Sequence, residues 1–303
     1  MTVACYVETT GYQVAWEKLR RCHESRVKPK LSHLRLLGVS GVGKSFLAKR
    51  YKEAHPNYEE GEATIVPVVH FSIPSTPSKK QLYQAFIRGF GAISGTGTAE
   101  ELKARVEALC RGCRTEIILI DEIHHFIDRG GARTYTAAGD ALKELIDAMS
   151  LPVVLIGAPR SKTLFHYNSQ LRSRVTSTLR MQPFTRSEIA ELMGFLYALT
   201  SNFPEPVRQW LASEQVARRI FVATDGIHRN VATLVSGVEE ELATKAPMNF
   251  STLSRVFKEH LWSDPGPGCD PFGKEPLTRR LNNIGEPYEP SPLDGDNHEL
   301  THV

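Results

Sequence analysis

Two segments of this 303-residue chain place reactive residue types at spacings that do chemistry. The first is Gly38-Val39-Ser40-Gly41-Val42-Gly43-Lys44-Ser45, which satisfies G-x-x-x-x-G-K-[ST]. Glycines in such a loop let successive backbone N–H groups turn toward a phosphate. The helix that follows adds its positive end, the lysine reaches the β- and γ-phosphates, and the serine hydroxyl holds Mg²⁺. Gly38, Ser40, Gly41, Val42, Gly43, Lys44, Ser45 and the adjoining Phe46 are therefore candidate nucleotide-binding residues, with ATP and Mg²⁺ as the ligands. The second segment, Ile117-Ile118-Leu119-Ile120-Asp121-Glu122, is an apolar run that ends in adjacent carboxylates. An acid at such a strand end holds the magnesium through its water shell, the role assigned to Asp121. Glu122 is left to accept a proton from an attacking water, which favours hydrolysis over transfer to another acceptor. His124 and His125 come next; histidines at i and i+1 on a helix do not face one site, so they read as packing or surface residues.

Both motifs need strands and helices to hold them, and the sequence supplies these in alternation. Leu34–Leu37 reads as a strand running straight into the glycine loop, followed by a helix that stops near His55-Pro56. Ile65–Phe71 reads as the second strand, Glu116–Ile120 as the third, Val153–Ile156 as the fourth and Ser177–Met181 as the fifth. Between them lie helices opened by capping boxes, Ser78 with Gln81 and Thr98 with Glu101, and a helix over about Asp140–Met149. Short apolar strands alternating with amphipathic helices predict a parallel sheet covered on both faces. After Pro183 no further strand pattern occurs. Thr185 with Glu188 opens an all-helical region, whose later helices cover roughly 214–223, 230–243 and 251–262. The expected divisions are an N-terminal segment 1–32, a sheet-bearing core 33–183, a helical domain 184–262 and a tail 263–303.

Composition agrees with a soluble enzyme or binding protein. Hydrophobic residues make up 41% and charged residues 23%, which excludes collagen-like or fully disordered chains. No apolar run approaches a membrane span and no secretory signal opens the chain, so a cytoplasmic protein without a membrane role is expected. The net charge is +3, but the stretch 263–303 holds eight acidic against three basic residues, leaving +8 on the rest. A basic body is compatible with a nucleic-acid partner. The tail is rich in proline and glycine and is expected to be disordered when alone, with Phe272, Leu277, Ile284 and Tyr288 as anchors for a partner. Five scattered cysteines fit a reducing compartment, and the lone pair Cys110 and Cys113 reads as a loop between a helix and a strand.

The glycine loop, the hhhhDE strand and the helical domain after the sheet together resemble an AAA+ ATPase. That resemblance implies an α/β fold: an AAA+ P-loop core with a five-stranded parallel sheet, a small helical lid and a disordered C-terminal tail. In that superfamily a neighbouring subunit supplies an arginine to the nucleotide. Leu171-Arg172-Ser173-Arg174-Val175 resembles the segment that carries it, which implies Arg174 as the finger and Arg172 as its alternate. An inserted arginine stabilises the charge spread over the γ-phosphoryl oxygens, a factor of about 10³ to 10⁵ in rate. Gly226-Ile227-His228-Arg229 resembles the sensor-2 helix and implies that Arg229 reaches back to the nucleotide. One departure stands out. The fourth strand of such ATPases usually ends in a polar residue that orients the attacking water, and here Ala158 takes that place, which predicts slow, switch-like turnover.

Within that superfamily the sequence resembles the TnsC/TniB group of transposition regulators, and TniB most. The likeness rests on Tyr12 and Trp16 ahead of the loop, LIDEIHHF, PVVLIGAPR, the LRSR segment and Asp270-Pro271-Phe272. It implies a protein that oligomerises with ATP, as a ring or filament, on double-stranded DNA, selects a target site and recruits a transposase of the TnsB/TniA type, with a TniQ-type targeting protein as a further partner. Lys79 and Lys80 sit in the first turn of a helix, where the dipole disfavours cations, so a compensating anion such as a DNA phosphate is expected; Arg88 extends the same stripe. Two other readings stay open at this point: a helicase loader or replication initiator of the same superfamily, and a P-loop NTPase with no DNA role.

Overall fold

Runs of four or five apolar residues can be buried on both faces only inside a layered α/β structure, and that is how this chain uses them. The computed structural model describes residues 7–75, 78–128, 131–275 and 277–290. By its contacts the chain divides into two units. One comprises Gly11–Ser40 and Lys44–Met181; the other comprises the residues up to Thr10, Gly41–Gly43 and the chain from Gln182 onward.

The first unit carries the sheet. Helix α1 (Thr10–Glu24) leads into β1 (Leu34–Leu37), then α2 (Lys44–Ala54), a hairpin of β2 (Tyr58–Glu60) and β3 (Ala63–Ile65), and β4 (Val68–Ser72). Next come α3 (Lys79–Gly89), α4 (Ala99–Gly112), β5 (Ile117–Asp121), α5 (Ala132–Met149), β6 (Val153–Gly157), α6 (Lys162–Tyr167), α7 (Ser169–Arg174) and β7 (Ser177–Arg180). Five strands form one parallel sheet in the order β4-β5-β6-β1-β7, with Leu37 opposite Gly157 and Ser72 opposite Asp121. Every residue of β5 and β6 is buried, as a central parallel strand requires. Phe71, Phe86, Leu102, Ile118, Leu142 and Leu155 belong to the core that the sheet shares with its helices.

Three elements differ from expectation for local reasons. Pro67 lacks an N–H, so the second apolar run breaks there: Ala63–Ile65 pairs antiparallel with Tyr58–Glu60, and only Val68–Ser72 joins the sheet. Helix α5 begins eight residues before Asp140, because most of its first two turns are exposed and carry no apolar period. Helix α1 lies in the segment expected only as an N-terminal lead; Tyr12, Ala15, Leu19 and Cys22 form its buried stripe, and Trp16 packs on Tyr51 with ring centroids 5.0 Å apart. The capping boxes at Ser78 and Thr98 are both formed.

The second unit is helical. It contains α8 (Ile189–Leu199), α9 (Glu205–Leu211), α10 (Glu214–Thr224), α11 (His228–Ala243) and α12 (Phe250–His260). The Thr185–Glu188 capping box is present, but it opens a 3₁₀ turn ahead of α8. From Ser263 to Pro290 the described residues form no helix or strand, as the density of proline and glycine dictates. The stretch is nonetheless tied down, unlike the expected free tail. Phe272 and Leu281 are fully buried in the helical core, Arg280 makes two hydrogen bonds of 2.6 Å to Asp225, and Tyr288 Oη donates to Ala223 O. Burying two large apolar side chains, about 1.5–3 kcal/mol each, is what holds an irregular backbone in place. Ile284 stays exposed, and residues 291–303 lie outside the described ones. Among the described residues no helix is long and apolar enough to cross a membrane.

Candidate functional site

The carboxyl ends of β1, β5 and β6 lie side by side in the sheet, so whatever follows those strands converges there. After β1 the chain enters the glycine loop. Gly41 at φ 86° and Gly43 at φ 98° occupy the left-handed region that a side chain would oppose. Gly38 N–H donates to Gly157 O at 3.2 Å, fastening the start of the loop to the end of β6. Lys44 is buried, and its Nζ donates to Gly38 O at 2.8 Å and Val39 O at 2.9 Å. The ammonium group is thus held under the loop by its own backbone. Val42 is buried, whereas Phe46 is 43% exposed.

Asp121 ends β5 and is almost fully buried. Burial opposes its charge, but His70, 3.6 Å away, the Ser45 hydroxyl and the Glu122 amide outweigh that and hold the carboxyl below its usual range. A buried carboxylate kept anionic beside the loop serine is the donor set a hard divalent cation needs, so Ser45 and Asp121 fit Mg²⁺. Glu122 then leaves the strand with φ 60° and ψ 33°, which turns its side chain away from the Asp121 direction and leaves it 38% exposed. The structure therefore gives the two adjacent acids different surroundings: one buried and fixed, the other reachable by solvent.

The sequence reading left His124 and His125 out of the site. A 3₁₀ turn over Ile123–Phe126, rather than an α-helix, brings their rings to 4.8 Å and places donor atoms of Glu122, His124 and His125 within 4.8 Å of one another. Successive side chains diverge in a 3₁₀ turn as they do in an α-helix, and the two rings take different partners: His124 Nδ1 accepts the Ala158 N–H at 3.4 Å and His125 Nδ1 lies 2.8 Å from Ile73 O. Arg160, next to the Ala158 position, is held by Asp128, with Nε 2.7 Å from Oδ1.

The arginine and lysine candidates fall in distinct settings. Arg174 is clamped by Asp147, Nε to Oδ1 at 2.9 Å and Nη2 to Oδ2 at 3.3 Å, while Arg172 is exposed and makes no ion pair among the described residues. Lys79 Nζ lies 2.8 Å from Glu144, which also takes Lys103 at 3.0 Å. The anion expected opposite Lys79 is thus supplied from within the fold. Lys80 and Arg88 are exposed and make no ion pair among the described residues. In the helical unit, Arg229 N–H donates to Gly41 O at 3.0 Å. A Cβ on Gly41 would come within 2.8 Å of Ile227 and 3.0 Å of Arg229. The Cys110–Cys113 pair stays reduced, with Cys110 buried in α4 and pushed up to about 12 by its burial.

Comparison with solved structures finds the same fold at low sequence identity. The Aeropyrum pernix ORC2 protein, in its ADPNP–ADP complexes, is similar with a TM-score of 0.61 and 18% identity, covering 86% of this chain and 70% of that one. Pyrobaculum aerophilum Cdc6p gives 0.62 at 12% identity, with 86% and 70% covered. The A. pernix ORC1 protein in complex with DNA gives 0.59 at 15%, with 84% and 66% covered. These likenesses show the fold: a five-stranded parallel sheet with its helices, followed by a helical region. No curated protein matches the sequence. The family described as "Bacterial TniB protein" matches residues 4–184, which is more than half of the chain and takes in the glycine loop, the Asp121–Glu122 strand end and the LRSR segment, so this chain belongs to the TniB family.

Proposed function

We propose that this chain is an ATPase that assembles on double-stranded DNA in its ATP-bound state and there selects a target site and recruits a transposase. The observation that carries the reading is the pairing of a buried Lys44 under a glycine loop with a fixed Asp121 and an exposed Glu122 at the end of β5, in a member of the TniB family. Backbone N–H groups of Gly41, Val42 and Gly43 and the start of α2 receive the phosphates, and Lys44 exchanges its two carbonyl partners for phosphate oxygens. Ser45, and Asp121 through water, would hold Mg²⁺, which would supply neutralising charge to the phosphate oxygens. Glu122 accepts the proton of the attacking water, and Asp121, already an anion, does not compete for it. Arg229, anchored at Gly41, supports a role in sensing the loop.

For the trans-acting arginine, the freedom of Arg172 favours it over Arg174, whose guanidinium would first have to leave Asp147. Lys80 and Arg88 are the DNA-facing candidates on α3, with Lys79 secondary because Glu144 already neutralises it. Contacts of that kind would bind duplex without sequence preference and weaken steeply with salt. A replication-initiator or helicase-loader role is the second reading, favoured by the likeness to ORC and Cdc6 structures. The deciding experiment mixes the protein with duplex DNA and a non-hydrolysable ATP analogue, images the product by electron microscopy, then adds the cognate transposase and TniQ-type protein and measures strand transfer. Rings or filaments together with stimulated strand transfer support transposition; assembly without stimulation supports the second reading. A protein that stays monomeric on DNA with ATP defeats both.

A further inference from the structure

The end of β6 lacks the polar side chain that would orient a water, yet a polar group reaches that place from the neighbouring turn. Gly157 and Ala158 are what make the approach possible. A Cβ on Gly157 would stand 2.7 Å from Ile123 Cγ1, 2.5 Å from Ser161 Oγ and 3.5 Å from His124 N, so the 3₁₀ turn is seated directly on the strand end. In that position His124 Nδ1 accepts the Ala158 N–H at 3.4 Å, and His124 Nε2 lies 3.1 Å from Glu122 Oε2. An imidazole that accepts at Nδ1 carries its proton on Nε2, so the ring presents that N–H within 3.1 Å of the Glu122 carboxylate, a close approach that a small turn of the side chain would align into a hydrogen bond. That tautomer has no lone pair to offer a cation on the Glu122 side. Glu122, His124 and His125 are therefore neighbours with separate partners: His124 Nδ1 takes the Ala158 amide, and His125 Nδ1 is engaged by Ile73 O at 2.8 Å.

We propose that His124 is a positioning residue for hydrolysis, taking through the Ala158 amide the place that a polar side chain at position 158 would fill, and fixing the Glu122 carboxylate toward the attacking water. The inference rests on the hydrolytic reading given above. In the step it serves, the water oxygen bonds to the γ-phosphorus, the bond from that phosphorus to the bridging oxygen breaks, and the water proton passes to Glu122; His124 keeps its own proton throughout. Burial, and then the charge of Arg160, push the imidazole down to about 4, which agrees with a neutral donor near pH 7. The backbone of Glu122 gives the carboxylate its direction, and among the described residues His124 is the one charged or polar side chain that approaches it closely enough to restrain it.

The test compares the full-length protein with His124→Ala, His124→Gln, Ala158→Asn and the double variant His124→Ala/Ala158→Asn. Steady-state phosphate release gives kcat and KM, and binding of a fluorescent ATP analogue gives Kd. Loss of one orienting contact is expected to lower kcat about 10- to 100-fold in His124→Ala with Kd unchanged. His124→Gln, which keeps an N–H donor, and the double variant, whose amide occupies the vacated space, are each expected to recover part of that loss. A kcat for His124→Ala within twofold of wild type overturns the proposal. So does an equal loss in His124→Ala, His124→Gln and the double variant accompanied by weakened binding, the pattern of a packing role. Glu122→Gln separates this from the parent reading: wild type no faster than Glu122→Gln overturns hydrolysis itself and the role of His124 with it.

Discussion

Replacing Lys44 by alanine perturbs the nucleotide site at its most defined point. Without ligand, the buried ammonium group donates to Gly38 O at 2.8 Å and Val39 O at 2.9 Å. Binding exchanges these bonds for phosphate oxygens, so the variant loses a charge-assisted contact of about 1.5–3 kcal/mol. That corresponds to a roughly 10- to 150-fold rise in Kd. At an ATP concentration about 100 times the wild-type Kd, linkage stabilises the wild type by about 2.7 kcal/mol and the variant by only about 0.3–1.4 kcal/mol. At roughly 2–4 °C per kcal/mol for a unit of this size, the wild type should melt about 5–11 °C higher with ATP and Mg²⁺. The variant's rise should be at most about half of that. Scanning fluorimetry measures both shifts, each against the same protein without nucleotide. That reference removes the separate cost of leaving the Gly38 and Val39 carbonyls without their donor. A variant whose ATP-induced shift equals that of the wild type refutes the assignment of Lys44 and, with it, the reading of the loop.

Glu122→Gln should slow phosphate release about 10²- to 10⁴-fold while the ATP-induced melting shift persists, trapping oligomers on DNA; unaltered turnover removes Glu122 as the base. In assemblies built wholly of the variant, Arg172→Ala should cut ATP turnover by about 10³ or more if it is the inserted arginine, and mixing in active subunits should restore turnover in proportion to their share. Arg174→Ala should then leave turnover and melting temperature close to wild type, because its pair with Asp147 is exposed and screened, and the reverse pattern would reinstate Arg174. Phe272→Ala should destabilise the helical unit by about 3–5 kcal/mol, read as a lower urea midpoint of that unit, because the ring is buried in its core. An unchanged midpoint would mean that the segment does not dock. Hydrogen bonding from Arg279 first, and then from Asn283, holds the Glu286 carboxyl down at about 2, against 4.5 when free. A lowered folded value gives stabilisation that is complete above 4.5 and lost as the pH falls toward 2. Carboxyl chemical shifts followed by NMR across that range test it, and a midpoint near 4.5 would contradict the Arg279 contact.

Much of the sheet was legible because buried parallel strands need unbroken apolar runs, and Leu34–Leu37, Ile117–Ile120 and Val153–Ile156 are such runs. Capping residues announced α3 and α4 for the same reason: Ser78 and Thr98 satisfy amide groups at a helix start whatever the tertiary context. What the sequence withheld depends on geometry that no period encodes. The turn carrying His124 and His125 is 3₁₀, and its seating on Gly157 is a close approach of chain segments more than thirty residues apart. The partner of Lys79 is Glu144 on α5, a pairing that local reasoning about the start of α3 could not supply. The clasp between Arg280 and Asp225 joins residues 55 positions apart, and composition alone pointed to a free tail there.

That clasp also sets a timetable for the newborn chain. The sheet unit has its last strand once Arg180 has been made, whereas the helical unit lacks part of its core until Phe272, Leu281 and Tyr288 have emerged. At about 5–20 residues per second, the ribosome needs roughly 5–20 seconds to cover that interval. Throughout it, Phe257 on α12 and the rest of the helical core would lack the side chains that complete it, so chaperone capture during translation should concentrate on the helical half of the protein.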